Sequence, residues 1–152
     1  MLRGASAINM DAKGRIAIPA RYRESLRSQH EGILVVTVDI SDPCLLIYPL
    51  HEWEQVEDKL KRLADTNPKQ RVFKRKLLGY AQDCEMDSHS RIVIPPTLRQ
   101  YAQLEKKTML VGVSNKFELW DEASWQQKLA DDEALIEQMD FSQDPSLADF
   151  SL

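Results

Sequence analysis

Two short segments carry the same opposite charges at the same spacing: Asp11-Ala12-Lys13-Gly14-Arg15 and Asp87-Ser88-His89-Ser90-Arg91. An aspartate that opens a turn can accept bonds from backbone N–H groups a few residues on. An arginine on the far side of the turn carries a planar fork suited to phosphate and to guanine edges. Two readings of each pair are open, and they are compatible. Asp11 with Arg15, or Asp87 with Arg91, can fix a hairpin by pairing; or the aspartate can orient an arginine that touches nucleic acid. Lys13 adds a base at the first turn, and Arg3 adds one on the strand before it. The first turn is the stronger candidate contact. Its neighbours are basic, whereas Asp83, Glu85 and Asp87 lead into the second and would repel phosphate.

Other chemistry finds no support in the residues. There is no phosphate-binding glycine loop, no nucleophile elbow and no His-Glu-x-x-His, and the chain has five glycines in all. No carboxylate sits in an apolar stretch that would raise its pKa for acid catalysis. Cys44 and Cys84 lack paired spacing. The cluster Asp83, Cys84, Glu85, Asp87, His89 lies in an extended segment, whose alternate side chains point to opposite faces. A non-enzyme without cofactor, metal or small-molecule substrate is expected. No apolar run approaches the ~20 residues that span a bilayer, and the first residues lack a signal core. A soluble cytoplasmic protein is expected.

Net charge argues against a nucleic-acid partner until it is divided. The chain holds 20 Lys and Arg against 24 Asp and Glu, or −4. Residues 131–152 hold seven of those acids and no base, which leaves 20 bases against 17 acids elsewhere. Residues 1–30 hold six bases and two acids. Distribution, not the sum, decides what a surface attracts.

The two charged segments belong to a longer repeat. Met10 to Pro19 recurs as Met86 to Pro95 at an offset of 76, with Asp, Arg, both Ile and Pro coincident. Arg23 then matches Arg99, and Leu34-Val35 matches Leu110-Val111 without a gap. Beyond that the offset is 72, with four extra residues in the first copy near Asp39 to Cys44, so Tyr48 falls on Trp120 and Trp53 on Trp125. A repeat of this kind predicts two similar supersecondary units that bury each other's faces.

Each copy predicts a strand, a turn, an alternating strand (Arg15–Ile18 or Arg91–Ile94), a proline-opened helix, two further strands and a second helix. The second helix of the first copy carries an apolar stripe of Trp53, Val56, Leu60, Leu63 and Ala64. Pro68 opens a basic connecting helix expected to stop at Gly79. The expected organisation is residues 1–66 as the first repeat with its helix, 67–80 as the basic linker, 81–139 as the second repeat with its helix, and 140–152 as an acidic tail.

The sequence resembles the MraZ family. The likeness runs through Arg3-Gly4, Asp11 to Arg15, Ile18-Pro19, Pro43-Cys44-Leu45, Tyr48-Pro49, Trp53-Glu54, Leu78-Gly79, Asp87 to Arg91 and Asn115 to Trp120. It implies a mainly β fold with flanking helices (α+β), built as two tandem AbrB-like swapped-hairpin β-barrel repeats. It also implies homo-oligomeric rings of about eight or more subunits. Such rings would bind double-stranded DNA at promoter repeats upstream of their own operon of division and cell-wall genes, acting in repression and associated with the nucleoid. The departure is Ser88-His89-Ser90, where glycine is more usual. The alternative is an antitoxin-like or scaffold module without DNA binding, whose acidic tail engages a basic partner.

Overall fold

Turn-forming aspartates, β-branched runs and prolines divide the chain into its elements. The computed structural model describes all residues, 1–152. Strand β1 (Leu2–Asn9) leads through the first Asp turn into β2 (Arg15–Ala17), α1 (Ala20–His30), β3 (Ile33–Val38), β4 (Leu45–Pro49) and α2 (Leu50–Lys61). Helix α3 (Pro68–Tyr80) connects to the second series: β5 (Gln82–Glu85), β6 (Arg91–Val93), α4 (Pro96–Tyr101), β7 (Lys107–Ser114), β8 (Lys116–Asp121) and α5 (Glu122–Gln138). The same order occurs twice, and the fold class is α+β.

Prolines 19, 49 and 95 stand in extended backbone at the N-caps of α1, α2 and α4. Asn67 caps α3, its side chain accepting bonds from the amides of Lys69 and Gln70. That helix does not stop at Gly79. Gly79 keeps helical backbone, and the chain leaves the helix at Ala81, which is already extended towards β5. A strand that follows at once needs no left-handed stop.

The repeats exchange strands. One antiparallel sheet has the order β1-β7-β8-β4-β3-β5, and a second is the ribbon β2-β6. The first strand of each copy therefore pairs with the third strand of the other, β1 on β7 and β5 on β3. A pseudo-twofold runs through both sheets: Ile16 faces Ile92 in the ribbon, and Leu46 faces Glu118 where β4 meets β8. The main core lies between ribbon, sheet, α1 and α4. It holds Ile16, Ile18, Ile92, Ile94, Leu34, Val36 and Phe117, all wholly buried. Because successive strand residues alternate faces, Val35, Leu46 and Tyr48 point to the other side. There they pack with Trp53, Leu60 and Leu77 from α2 and α3. In the apolar stripe, Val56 and Leu63 are half-buried against this cluster, whereas Ala64 lies past the helix end and is exposed.

The third strands match at an offset of 74, not 76. Met10 donates to the carbonyl of Lys106, and Met86 donates to that of Gly32. The four extra residues of the first copy are thus divided. Two fall around the end of α1, which has 11 residues against 6 in α4, and two fall between β3 and β4.

Two compact units result, Met1–Glu122 and Ala123–Leu152. Within the second, a 3-10 turn (Phe141–Gln143) and the short α6 (Pro145–Ala148) follow α5, capped by the side chains of Asp140 and Asp144. No helix is long and apolar enough to cross a membrane.

Candidate nucleic-acid interface

The two Asp turns have the same construction. In the first, Asp11 Oδ1 accepts from the amides of Lys13 and Arg15, both at 2.9 Å, while Oδ2 accepts from Arg15 Nε at 2.6 Å. In the second, Asp87 Oδ1 accepts from the amides of His89 (2.8 Å) and Arg91 (3.0 Å), and Oδ2 accepts from Arg91 Nε at 3.0 Å. Backbone bonds close both loops: Asp11 donates to the carbonyl of Arg15 and Gly14 to that of Asp11, and likewise Asp87 to Arg91 and Ser90 to Asp87. These donors hold both carboxyls below the usual carboxylate range. The backbone amide of the arginine is the largest cause in each. Each guanidinium is engaged through Nε, so its terminal amino groups stay available for an outside acceptor. Arg15 and Arg91 side chains are about equally exposed, 31% and 33%.

Ribbon register places these arginines on one surface. Arg15 faces Val93, and Arg91 faces Ala17, while Ile16 and Ile92 between them point into the core. Arg15 and Arg91 are therefore diagonal neighbours on the outer face, ~7–8 Å apart at the backbone. Lys13 is exposed beside the first turn. Asp83 and Glu85 are exposed on β5, which leads into the second.

The turns differ in the residue that takes left-handed backbone. Gly14 has φ +81°, and Ser90 has φ +59°. A β-carbon at Gly14 would lie 2.8 Å from the carbonyl oxygen of Ile94 and 2.9 Å from the Arg99 guanidinium, so glycine is required there. Arg99 Nε is buried against this turn without a hydrogen-bond partner. At the second turn Ser90 has its side chain, and Arg27 of α1 reaches it. Arg27 Nη2 donates to Ser90 Oγ at 3.0 Å and to the carbonyl of Asp87 at 2.8 Å. Backbone bonds tie each turn to the other copy: Ile94 donates to the carbonyl of Gly14, and Ile18 to that of Ser90.

Arg3 is not brought to this surface. It lies at the far end of β1, and eight residues at ~3.3 Å each separate it from Asp11 by more than about 20 Å. Its carbonyl accepts from the hydroxyl of Tyr22 and, at 3.5 Å, from Arg21 Nη2. Leu77 of α3 belongs to the second cluster, on the face of the six-stranded sheet away from the ribbon, whereas Lys76 reaches α4, its Nζ 5.1 Å from the centre of the Tyr101 ring. Lys74 of α3 pairs with Asp65 at 3.1 Å. No group of His, Cys, Asp and Glu is arranged to hold a metal. On β5, Cys84 points inward between exposed Asp83 and Glu85, and burial pushes its thiol up to about 11. Sequence reasoning missed Arg27 and Arg99 as supports of the turns. The one available signal was a serine standing where the first copy has glycine.

Comparison with known proteins agrees with the repeat. A family model described as "MraZ protein, putative antitoxin-like" matches residues 1–76 and again 77–145. Transcriptional regulator MraZ of Shewanella frigidimarina is 68% identical over 152 residues, covering 100% of both chains. The proteins of the same name from Shewanella denitrificans and Shewanella pealeana are 64% and 60% identical over the same full length.

Proposed function

The chain belongs to the MraZ family, and on that premise we propose that it is a transcriptional regulator that binds double-stranded DNA through the β2-β6 ribbon. The observation that carries this reading is the ribbon's outer face, where Arg15 and Arg91 stand as diagonal neighbours, each with its Nε held by an aspartate. A two-stranded ribbon can enter a groove as a helix does. Pre-orienting a guanidinium reduces the side-chain entropy lost when it meets phosphate or a base edge. Lys13 and Arg15 are the leading contacts. Asp11 and Asp87 orient, Arg91 contributes from the second turn, and Arg3 makes a separate contact from the end of β1. The protein is a non-enzyme that acts in the cytoplasm at the nucleoid.

One ribbon is a small surface, and few phosphate contacts give weak, non-specific binding of ~10⁻⁴ to 10⁻⁶ M. A homo-oligomeric ring of about eight or more subunits presents the ribbon repeatedly, and linked sites gain ~10² to 10⁴ in avidity. Such a ring would repress its own operon, the division and cell-wall cluster, by engaging repeated promoter elements. The test is a gel shift of the full-length protein on its own upstream DNA across a salt series, with light scattering in parallel. A shift that weakens with salt, from a large oligomer, is expected. No shift at low salt would refute DNA binding. It would favour the antitoxin-like or scaffold reading, in keeping with the description of the family as antitoxin-like.

A further inference from the structure

The left-handed backbone at the second turn is occupied by a side chain that the first turn excludes. Ser90 has φ +59° and is buried to 7% exposure, whereas its counterpart Gly14 has no side chain to place. A residue with a β-carbon is strained in this region. Its hydroxyl, buried there, also needs a partner. Both requirements meet at Arg27, which comes from the other repeat, 63 residues away in sequence. One nitrogen, Nη2, spans Ser90 Oγ and the carbonyl of Asp87. Those two acceptors lie on either side of the loop that ends in Arg91. The first turn has no equivalent clasp: Arg99, which matches Arg23 in the repeat and not Arg27, lies against Gly14, and its Nε bonds to nothing.

We propose that Arg27 is the positioning residue of the second turn: it clasps Ser90 and the Asp87 carbonyl, and so holds Arg91 on the ribbon face beside Arg15. This rests on the DNA-binding reading for its consequence, though not for its geometry. Without Arg27, the second turn retains its backbone bonds to Asp87 but loses the contact that compensates a strained, buried serine. The loop then spends part of its time open. Apparent affinity falls in proportion to the fraction of competent turns. A merely structural arginine would lower melting temperature without that proportional loss in binding by the folded protein.

The experiment compares full-length wild type with Arg27→Ala, Arg27→Lys, Ser90→Gly and the double variant Arg27→Ala/Ser90→Gly. Two readouts are taken well below melting. The first is fluorescence anisotropy on the protein's upstream DNA; the second is amide exchange at His89 and Arg91, whose N–H groups bond to Asp87 Oδ1. Arg27→Ala is expected to weaken DNA binding about tenfold, if the turn is competent about a tenth of the time, and to speed exchange at both amides. Ser90→Gly alone is expected to bind within about twofold of wild type, since glycine takes left-handed backbone without strain. In the double variant it should recover most of the loss, because no strained serine or orphaned hydroxyl remains. Arg27→Lys should fall between, since an ammonium lacks the fork.

Arg27→Ala with wild-type exchange at His89 and Arg91 overturns the clasp, whatever the DNA result. Faster exchange with unchanged DNA affinity, while Arg15→Ala loses binding, overturns the claim that the clasp serves the interface. Failure of the DNA reading is separate: there wild type itself does not bind, and the exchange data still decide whether Arg27 holds the turn.

Discussion

Arg15→Ala isolates the side chain that the proposed interface depends on most, because the turn around it does not need that side chain. Asp11 Oδ1 keeps the amides of Lys13 and Arg15, and the Asp11–Arg15 and Gly14–Asp11 backbone bonds remain. What is lost inside the protein is a single partly exposed ion pair, and such pairs add little to stability. Melting should move by no more than a few degrees. The effect on DNA is larger and has a calculable form. Each phosphate contact removed lowers the slope of log affinity against log salt by about 0.9. A fourfold salt increase, from ~50 to ~200 mM, then costs the variant about 3.5-fold less affinity than wild type for each engaged subunit. With two subunits engaged the difference grows to about twelvefold, the square of that factor. The assay is anisotropy on upstream DNA at four or five salt concentrations. Lost affinity with an unchanged slope would show that Arg15 reads bases or shapes the turn without touching phosphate. If affinity and slope both stay at wild-type values, Arg15 is no contact and the ribbon reading fails at its centre.

The other predictions concern the partner turn, the aspartates and the glycine. Arg91→Ala should also weaken binding, but less than Arg15→Ala at low salt, because exposed Asp83 and Glu85 on β5 already oppose phosphate there; equal losses in the same titration would remove the asymmetry. The folded-state pKa of Asp11 and Asp87 lies below the ordinary aspartate value of 3.8, so the stability they add to the turns is present above that value. It is lost as pH falls through the lower folded value. The amide shifts of Arg15 and Arg91 should therefore titrate with a midpoint below 3.8; a midpoint above it would contradict the bonding described. Gly14→Ala should destabilise by more than about 2 kcal/mol in urea denaturation, since left-handed strain adds to its clash with Ile94 and Arg99. A loss under about 0.5 kcal/mol would mean that the turn relaxes freely.

Much of this was legible in the chain because local chemistry sets it. The Asp turns, the alternating Ile pairs and the proline-opened helices each follow from neighbours within a few residues. The strand exchange was implied by family likeness and not by the residues, since nothing in β1 announces that its partner lies a hundred residues on at β7. The third-strand offset was misread for a physical reason. A shift of two residues keeps every side chain on its face, so Leu34 pairs structurally with Thr108 instead of Leu110 without disturbing the hydrophobic pattern. Gly79 misled because glycine after a helical pattern is a stop only where the chain must turn left-handed, and β5 begins without such a turn. The distance of Arg3 from the ribbon was hidden by its closeness in sequence to Lys13 and Arg15.

Strand exchange also constrains what the second turn can be. Had each copy folded alone, a drifting second turn would leave the first intact. Here Ile94, which leads out of β6, donates to Gly14, and Ile18, which leads out of β2, donates to Ser90. Each turn is thus a hydrogen-bond acceptor for the strand of the other, and Ile16 and Ile92 meet on the axis between them. A displacement of the Ser90 loop pulls on Ile18, and through β2 on Arg15. On the proposed reading, the acidic approach to the second turn makes it the poorer DNA contact by charge, while its backbone bonds support the ribbon that carries Arg15. On this account, damage at the second turn reaches DNA binding by two routes: directly through Arg91, and through the ribbon to Arg15.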